Sequence, residues 1–307
     1  MTAAITTIRS YIRSYYDDVF QKEYFISILA FMGLIVTLNY SYPFAAINNQ
    51  WLSFLFYYLL YLLPFSFAYA LQWLYFKEDR AAFSKPWLWI LLLSAPAIFA
   101  FRVNFNLQEI FTSNLSSAEN FRFISSVINY GVKVIMLMVP VIIIWFIKDK
   151  KFLPLYGFSM HRNRKLYFSM LAFMIPLIVV AATLPDFLNT YPKAMREAGL
   201  YPAHNIPRLV FFELAYGLDF LSIEFFFRGF LIIAFIKYFG MRAIVPAACF
   251  YCCIHLGKPM AEAISSFFGG LLLGIISYHT LSIWGGLLIH LGIAWMMELA
   301  TYISHHF

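Results

Sequence analysis

The sequence predicts an all-α polytopic transmembrane bundle of about eight or nine spans, and three observations carry that reading. Of 307 residues, 62% are hydrophobic and only 12% are charged, where a soluble domain carries about 25% charged residues. The mean hydropathy is +0.74, which is more apolar surface than a water-soluble fold can hide. The apolar residues also fall in long unbroken runs. A β-barrel would need short alternating segments, whereas a helix satisfies its own backbone inside a bilayer.

A span needs about 20 mostly apolar residues. In chain order, the runs are 24–42, 51–75, 86–101, 128–147, 165–184, 209–238, 243–256, 261–279 and 282–302. The first follows 23 polar, mixed-charge residues. It lacks the short apolar core and small-residue cleavage site of a signal peptide, so it is read as a retained helix. The loop 42–50 before the second run has no charge. The third and seventh runs are short, as in re-entrant or tilted segments. The connection 185–207 contains Pro185, Pro192, Pro202 and Pro207, which predicts an irregular path with short helical pieces. Pro207 stands just before the sixth run and suits a helix start. No internal repeat is evident, which argues against a transporter built from inverted repeats.

The net charge of +7 does not point to nucleic acid, because the basic residues sit at the ends of apolar runs instead of in one patch. With the N-terminus placed in the cytoplasm, fourteen Lys and Arg residues fall on the cytoplasmic side, among them Arg9, Arg13, Lys77, Arg80, Lys148 and Arg162. Six fall opposite: Arg102, Arg122, Lys193, Arg196, Arg208 and Lys258. That asymmetry follows the positive-inside rule and makes the lipid bilayer the first partner. Cys249, Cys252 and Cys253 share one apolar segment, so no disulfide framework is expected. They are read as small polarizable core residues.

Ionisable groups inside spans are candidates for chemistry, because each costs roughly 2.5–3.5 kcal/mol at mid-membrane. The last hundred or so residues hold most of them. Glu224 and Arg228 are four apart and share a helix face, so they can pair. His255 ends the segment Phe250-Tyr-Cys-Cys-Ile-His, and His290 lies in the last run with Glu298 two turns on. Two histidines and a carboxylate on three separate helices suit hydrolysis, which needs a base for water and donors for an oxyanion. The same residue types also suit zinc. Lys258 and His279 are read as interfacial. Gly269, Gly270, Gly274, Gly285 and Gly286 permit close helix packing.

At these residues the chain resembles the CPBP family of CAAX-protease and bacteriocin-processing membrane endopeptidases, related to the type II CAAX prenyl protease. The resemblance covers about 209–300 and divides the chain into N-terminal helices of unknown role, 1–200, and a core carrying the motifs, 201–307. The family's Glu-Glu-x-x-x-Arg appears as Ile223-Glu224-Phe-Phe-Phe-Arg228, its Phe-x-x-x-His as Tyr251-Cys-Cys-Ile-His255, and its His-x-x-x-Asn as His290-Leu-Gly-Ile-Ala294. The first Glu, which the family assigns to water activation, is therefore Ile223, and the Asn is Ala294. The resemblance implies an intramembrane endopeptidase acting on a membrane-associated peptide or protein, in a bacterial inner membrane. Glu224, Arg228, His255 and His290 carry over by position. His255 and His290 would serve as zinc ligands or oxyanion donors. Asp219, one turn before Ile223, and Glu298, one turn after Ala294, are candidates for a relocated acid. The alternative is an inactive scaffold or regulator that keeps the fold.

Overall fold

The computed structural model describes residues 2–42, 47–113, 118–151, 153–159, 164–200 and 205–306. Arg162 and Pro202 lie outside them. No strand occurs among the described residues. The helices are α1 (Thr2–Val19), α2 (Lys22–Ser41), α3 (Gln50–Tyr75), α4 (Pro86–Asn104), α5 (Glu109–Thr112), α6 (Ala118–Ile144), α7 (Arg164–Ala181), α8 (Pro185–Thr190), α9 (Lys193–Ala198), α10 (Ile206–Glu224), α11 (Ile236–Phe239), α12 (Ile244–Cys253), α13 (Met260–Thr280) and α14 (Trp284–His306). Two π-helical stretches, Trp145–Asp149 and Phe225–Ile233, extend α6 and α10.

Each apolar run contains a helix at its place. Among the described residues, six are long and apolar enough to cross a membrane: Lys22–Ser41, Gln50–Tyr75, Pro86–Thr112, Phe121–Asp149, Met260–Thr280 and Trp284–Ser304. The other runs fall short of that mark for separate reasons. Lys165–Ala181 is shorter. α10 carries Arg208, Glu213, Asp219 and Glu224. α12 has ten residues and so rises about 15 Å, half of a hydrocarbon core of about 30 Å.

The helix starts follow local chemistry. The Asn49 side chain accepts the backbone N–H groups of Trp51 and Leu52, each at 3.0 Å, and so caps α3. Pro86 opens α4 and Pro207 opens α10, where a missing N–H costs nothing. Between α7 and α10 the proline-rich connection forms two six-residue helices, α8 and α9. The polar N-terminal residues form a helix as well. α1 packs on α7 and α13, buries Tyr15 and Val19, and stacks Tyr11 on His279 with ring centroids 4.3 Å apart.

All ten residues of α12 are buried, and an aromatic core surrounds them. Phe250 meets Phe227 at 5.3 Å and Phe99 at 5.7 Å edge-on, and it stacks on Tyr61 at 5.1 Å. These offset and edge-on geometries are those aromatic quadrupoles prefer.

Polar locks close the end of the bundle where α3 stops and α4 starts. Arg242 grips Asp79 with two hydrogen bonds, 2.8 and 2.7 Å. Burial pushes the Asp79 carboxyl up, and the Arg242 guanidinium works against that shift. Asp149, on the π stretch after α6, accepts from the Tyr156 hydroxyl at 2.7 Å and pairs with Lys237. The segment 157–159 then straps the turn before α14. The N–H of Ile283 donates to Gly157, the Trp284 indole to Phe158, and the Ser282 hydroxyl to Ser159, at 2.7–2.9 Å.

Candidate active site

Three elements bring the site together: the join of α10 with its π stretch, α12 with the turn after it, and the first half of α14. Glu224 is the last residue of α10, and Arg228 lies in the π stretch that follows. Both are essentially without solvent exposure, and Arg228 Nε lies 3.3 Å from Glu224 Oε2. A π turn is wider than an α turn and often marks a functional position. Here all nine of its residues are buried. Gly229 is required within it, since a Cβ there would lie 2.6 Å from the Tyr156 carbonyl oxygen.

His290 reaches Glu224 from α14, with Nδ1 2.9 Å from Oε1. Gly286, one turn earlier, makes room for the carboxylate: a Cβ at this position would sit 2.3 Å from Glu224 Oε2. From α12, the Tyr251 hydroxyl stands 3.2 Å from His290 Nε2, and the Arg228 guanidinium lies 4.4 Å over the Tyr251 ring. His255 Nδ1 is 2.8 Å from the Tyr251 carbonyl oxygen, and its ring is 4.6 Å from that of Tyr251.

These contacts fix the tautomers. A carboxylate and a carbonyl can only accept, so Nδ1 donates in both histidines and Nε2 is left with its lone pair. In His290 that lone pair faces the Tyr251 hydroxyl. The His290 side chain is 16% exposed while Glu224 is 0%. The imidazole is thus the part of the pair that a water or substrate can reach.

Other residues singled out from the sequence lie apart from this group. The Asp219 carboxylate engages Arg102 of α4. Glu298 caps α9, accepting from the backbone N–H of Lys193 at 2.7 Å and of Ala194 at 3.3 Å. Ile223 packs in the main core, and Ala294 packs with Tyr130 and Tyr216. Cys249, Cys252 and Cys253 are buried free thiols. Lys258 pairs with Glu262 at 2.7 Å. Sequence reasoning passed over the Tyr251 hydroxyl and the demand for Gly at 286. The first stood in a motif place as an aromatic, and the second was one of several glycines suited to packing.

Zinc sites need at least three protein ligands. The tautomers of His255 and His290 leave both Nε2 atoms available, as metal-binding imidazoles require. However, no group of three His, Cys, Asp or Glu that could hold a metal ion is gathered among the described residues. Among the described residues, those present do not complete a zinc site.

Residues 205–296 match the family model described as type II CAAX prenyl endopeptidase Rce1-like. No curated protein and no solved structure matches the chain. The match places this segment in the CAAX-protease family and covers Glu224, Arg228, Tyr251, His255 and His290 together.

Proposed function

We propose that this membrane protein, with its CAAX-protease-type segment, is an endopeptidase whose water is activated by the Glu224–His290 pair. The observation that carries the reading is the 2.9 Å contact between Glu224 Oε1 and His290 Nδ1. A buried carboxylate that orients an imidazole makes Nε2 the base, once the Tyr251 hydroxyl that donates to it at rest turns away, and stabilises the imidazolium once it forms. His290 Nε2 takes a proton from water as the water oxygen bonds to the scissile carbonyl carbon. The carbonyl π electrons move to oxygen. The Tyr251 hydroxyl is the nearest donor to receive that charge. The tetrahedral adduct collapses, the C–N bond breaks, and the imidazolium returns its proton to the departing amine. Arg228, with Nε 3.3 Å from Glu224 Oε2, is the countercharge beside the carboxylate. His255, fixed by the Tyr251 carbonyl, is the second imidazole and takes part in holding water.

The substrate class is a membrane-associated peptide or protein. The outer faces of α10 and α14 next to the site remain apolar and exposed, with Leu214 57%, Leu218 54% and Trp295 42% accessible, so a lipid-embedded segment can lie against them. By the charge asymmetry, the N-terminus and the end carrying Asp79 and Arg242 face the cytoplasm.

A second reading is an inactive scaffold. It is favoured by the apolar Ile223 and Ala294, which stand where the family carries polar groups. Cleavage of membrane-anchored peptides by the purified protein separates the two. Activity abolished in His290→Ala and in Glu224→Gln supports the protease. No cleavage of any peptide by folded wild type sinks it.

A further inference from the structure

A cleft of about 430 Å3 opens between α8 and the turn that follows α12, at the end of the bundle where α2 stops. Its walls include Tyr40, Asp186, Asn189, Gly257, Lys258 and Met260. The turn joins the cleft to the site. The Lys258 N–H donates to the His255 carbonyl at 3.0 Å, and three residues of chain span no more than about 10 Å. The Tyr40 hydroxyl holds the same turn from α2, donating to the Lys258 carbonyl at 2.5 Å.

The charges of the cleft do not cancel. The Lys258 ammonium is matched by Glu262 at 2.7 Å, and the Tyr191 hydroxyl donates to the same carboxylate. Asp186 is exposed. Its Oδ1 accepts the Phe187 N–H at 2.9 Å, and it makes no ion pair with a basic side chain among the described residues. One carboxylate is therefore left to meet a ligand. Gly257, at φ +105, contributes no side chain, and a Cβ there would meet nothing within 4 Å. That part of the wall is open.

We propose that the cleft receives the extramembrane peptide flanking the scissile bond, and that Asp186 selects a flank carrying an ammonium or guanidinium group. The proposal rests on the protease reading for its ligand. The cleft is wide enough for a few residues of extended chain. It lies one turn of backbone from His255, and its free charge is negative.

The test uses the purified full chain and two synthetic peptides. Each carries the same apolar segment of roughly 20 residues, followed by either a lysine-rich or a glutamate-rich flank. Binding is read by fluorescence anisotropy at low salt, and cleavage is read separately. The lysine-flanked peptide is expected to bind about fivefold tighter, the scale of a solvent-exposed ion pair. The preference should fade at high salt. Asp186→Asn keeps the acceptor for the Phe187 N–H and should erase the preference. Asn189→Trp fills the cleft and should weaken both peptides. Equal binding of the two peptides to wild type, or a preference that survives Asp186→Asn, overturns the proposal. A charge preference without cleavage would leave the cleft standing and remove the catalytic reading. Cleavage without a preference would do the reverse.

Discussion

His290 Nδ1 lies 2.9 Å from Glu224 Oε1 although the two residues are 66 positions apart and belong to different helices. The contact turns a lone intramembrane histidine into a base with a defined tautomer. Glu224→Gln leaves a neutral amide that can no longer stabilise an imidazolium. Both Glu224→Gln and His290→Ala are expected to lower kcat by roughly 10²–10⁴-fold, the range of general-base contributions. Progress curves on a membrane-anchored peptide would show it.

Tyr251→Phe separates the hydroxyl from the ring. The aromatic face under Arg228 survives, and only the donor to His290 Nε2 is lost. Expected are a kcat lower by about tenfold, the size of one hydrogen bond, and a KM close to that of wild type. A change in KM alone would assign Tyr251 to binding.

Gly286→Ala puts a Cβ where Glu224 Oε2 stands, 2.3 Å away. The carboxylate or the helix must move. Overpacking of this kind costs about 1–3 kcal/mol, so thermal unfolding in detergent should shift down and cleavage should be lost. Gly269→Ala is the control, since a Cβ there meets nothing within 4 Å.

Asp219→Asn leaves Arg102, 6% exposed, without its carboxylate. Breaking a buried pair from one side costs about 3–5 kcal/mol. The variant is expected to unfold at lower temperature. Replacing both partners with apolar residues, Arg102→Met with Asp219→Leu, should recover much of that loss. Equal instability of the single and double variants would mean that the pair is not the cause.

A strong chelator is expected to leave cleavage unchanged, because the donors around His255 and His290 do not complete a metal set among the described residues. Loss of activity on chelation, restored by zinc alone, would contradict this.

The helical, membrane-spanning architecture was legible because a bilayer imposes one period-free rule, length of apolar run, while six of the nine runs hold helices long and apolar enough to cross among the described residues. The run 51–75 is α3 at Gln50–Tyr75, and 261–279 is α13 at Met260–Thr280. The motif residues were legible through the family resemblance, and the structure brings Glu224, Arg228, His255 and His290 around Tyr251. What the sequence could not show is partner choice at long range. Asp219 and Glu298 sit one helical turn from motif positions and look like spare acids. Their partners are Arg102, 117 positions away, and Lys193, 105 positions away, and no local pattern announces either. The N-terminal helix was missed for a different reason: its charged residues drew the reading, while Ile5, Ile8, Ile12, Tyr15 and Val19 recur at helical spacing and mark the face of an amphipathic helix, which packs on α7 and α13.

The segment Ile206–Ile233 carries Arg208, Glu213, Asp219, Glu224 and Arg228. Each mid-membrane charge adds roughly 2.5–3.5 kcal/mol to insertion of a lone helix. This segment is therefore a poor passenger for the insertion machinery by itself. Its anchors arrive at different times in synthesis: Arg102 on α4 is made before it, and His290 on α14 after it. A nascent chain that stops at Thr280 would hold Glu224 with Arg228 alone. Helix α14, made after the charged segment, thus both delivers the base and completes the retention of α10 in the bilayer, which ties the birth of the active site to a helix that reaches the membrane later than the carboxylate it pairs with.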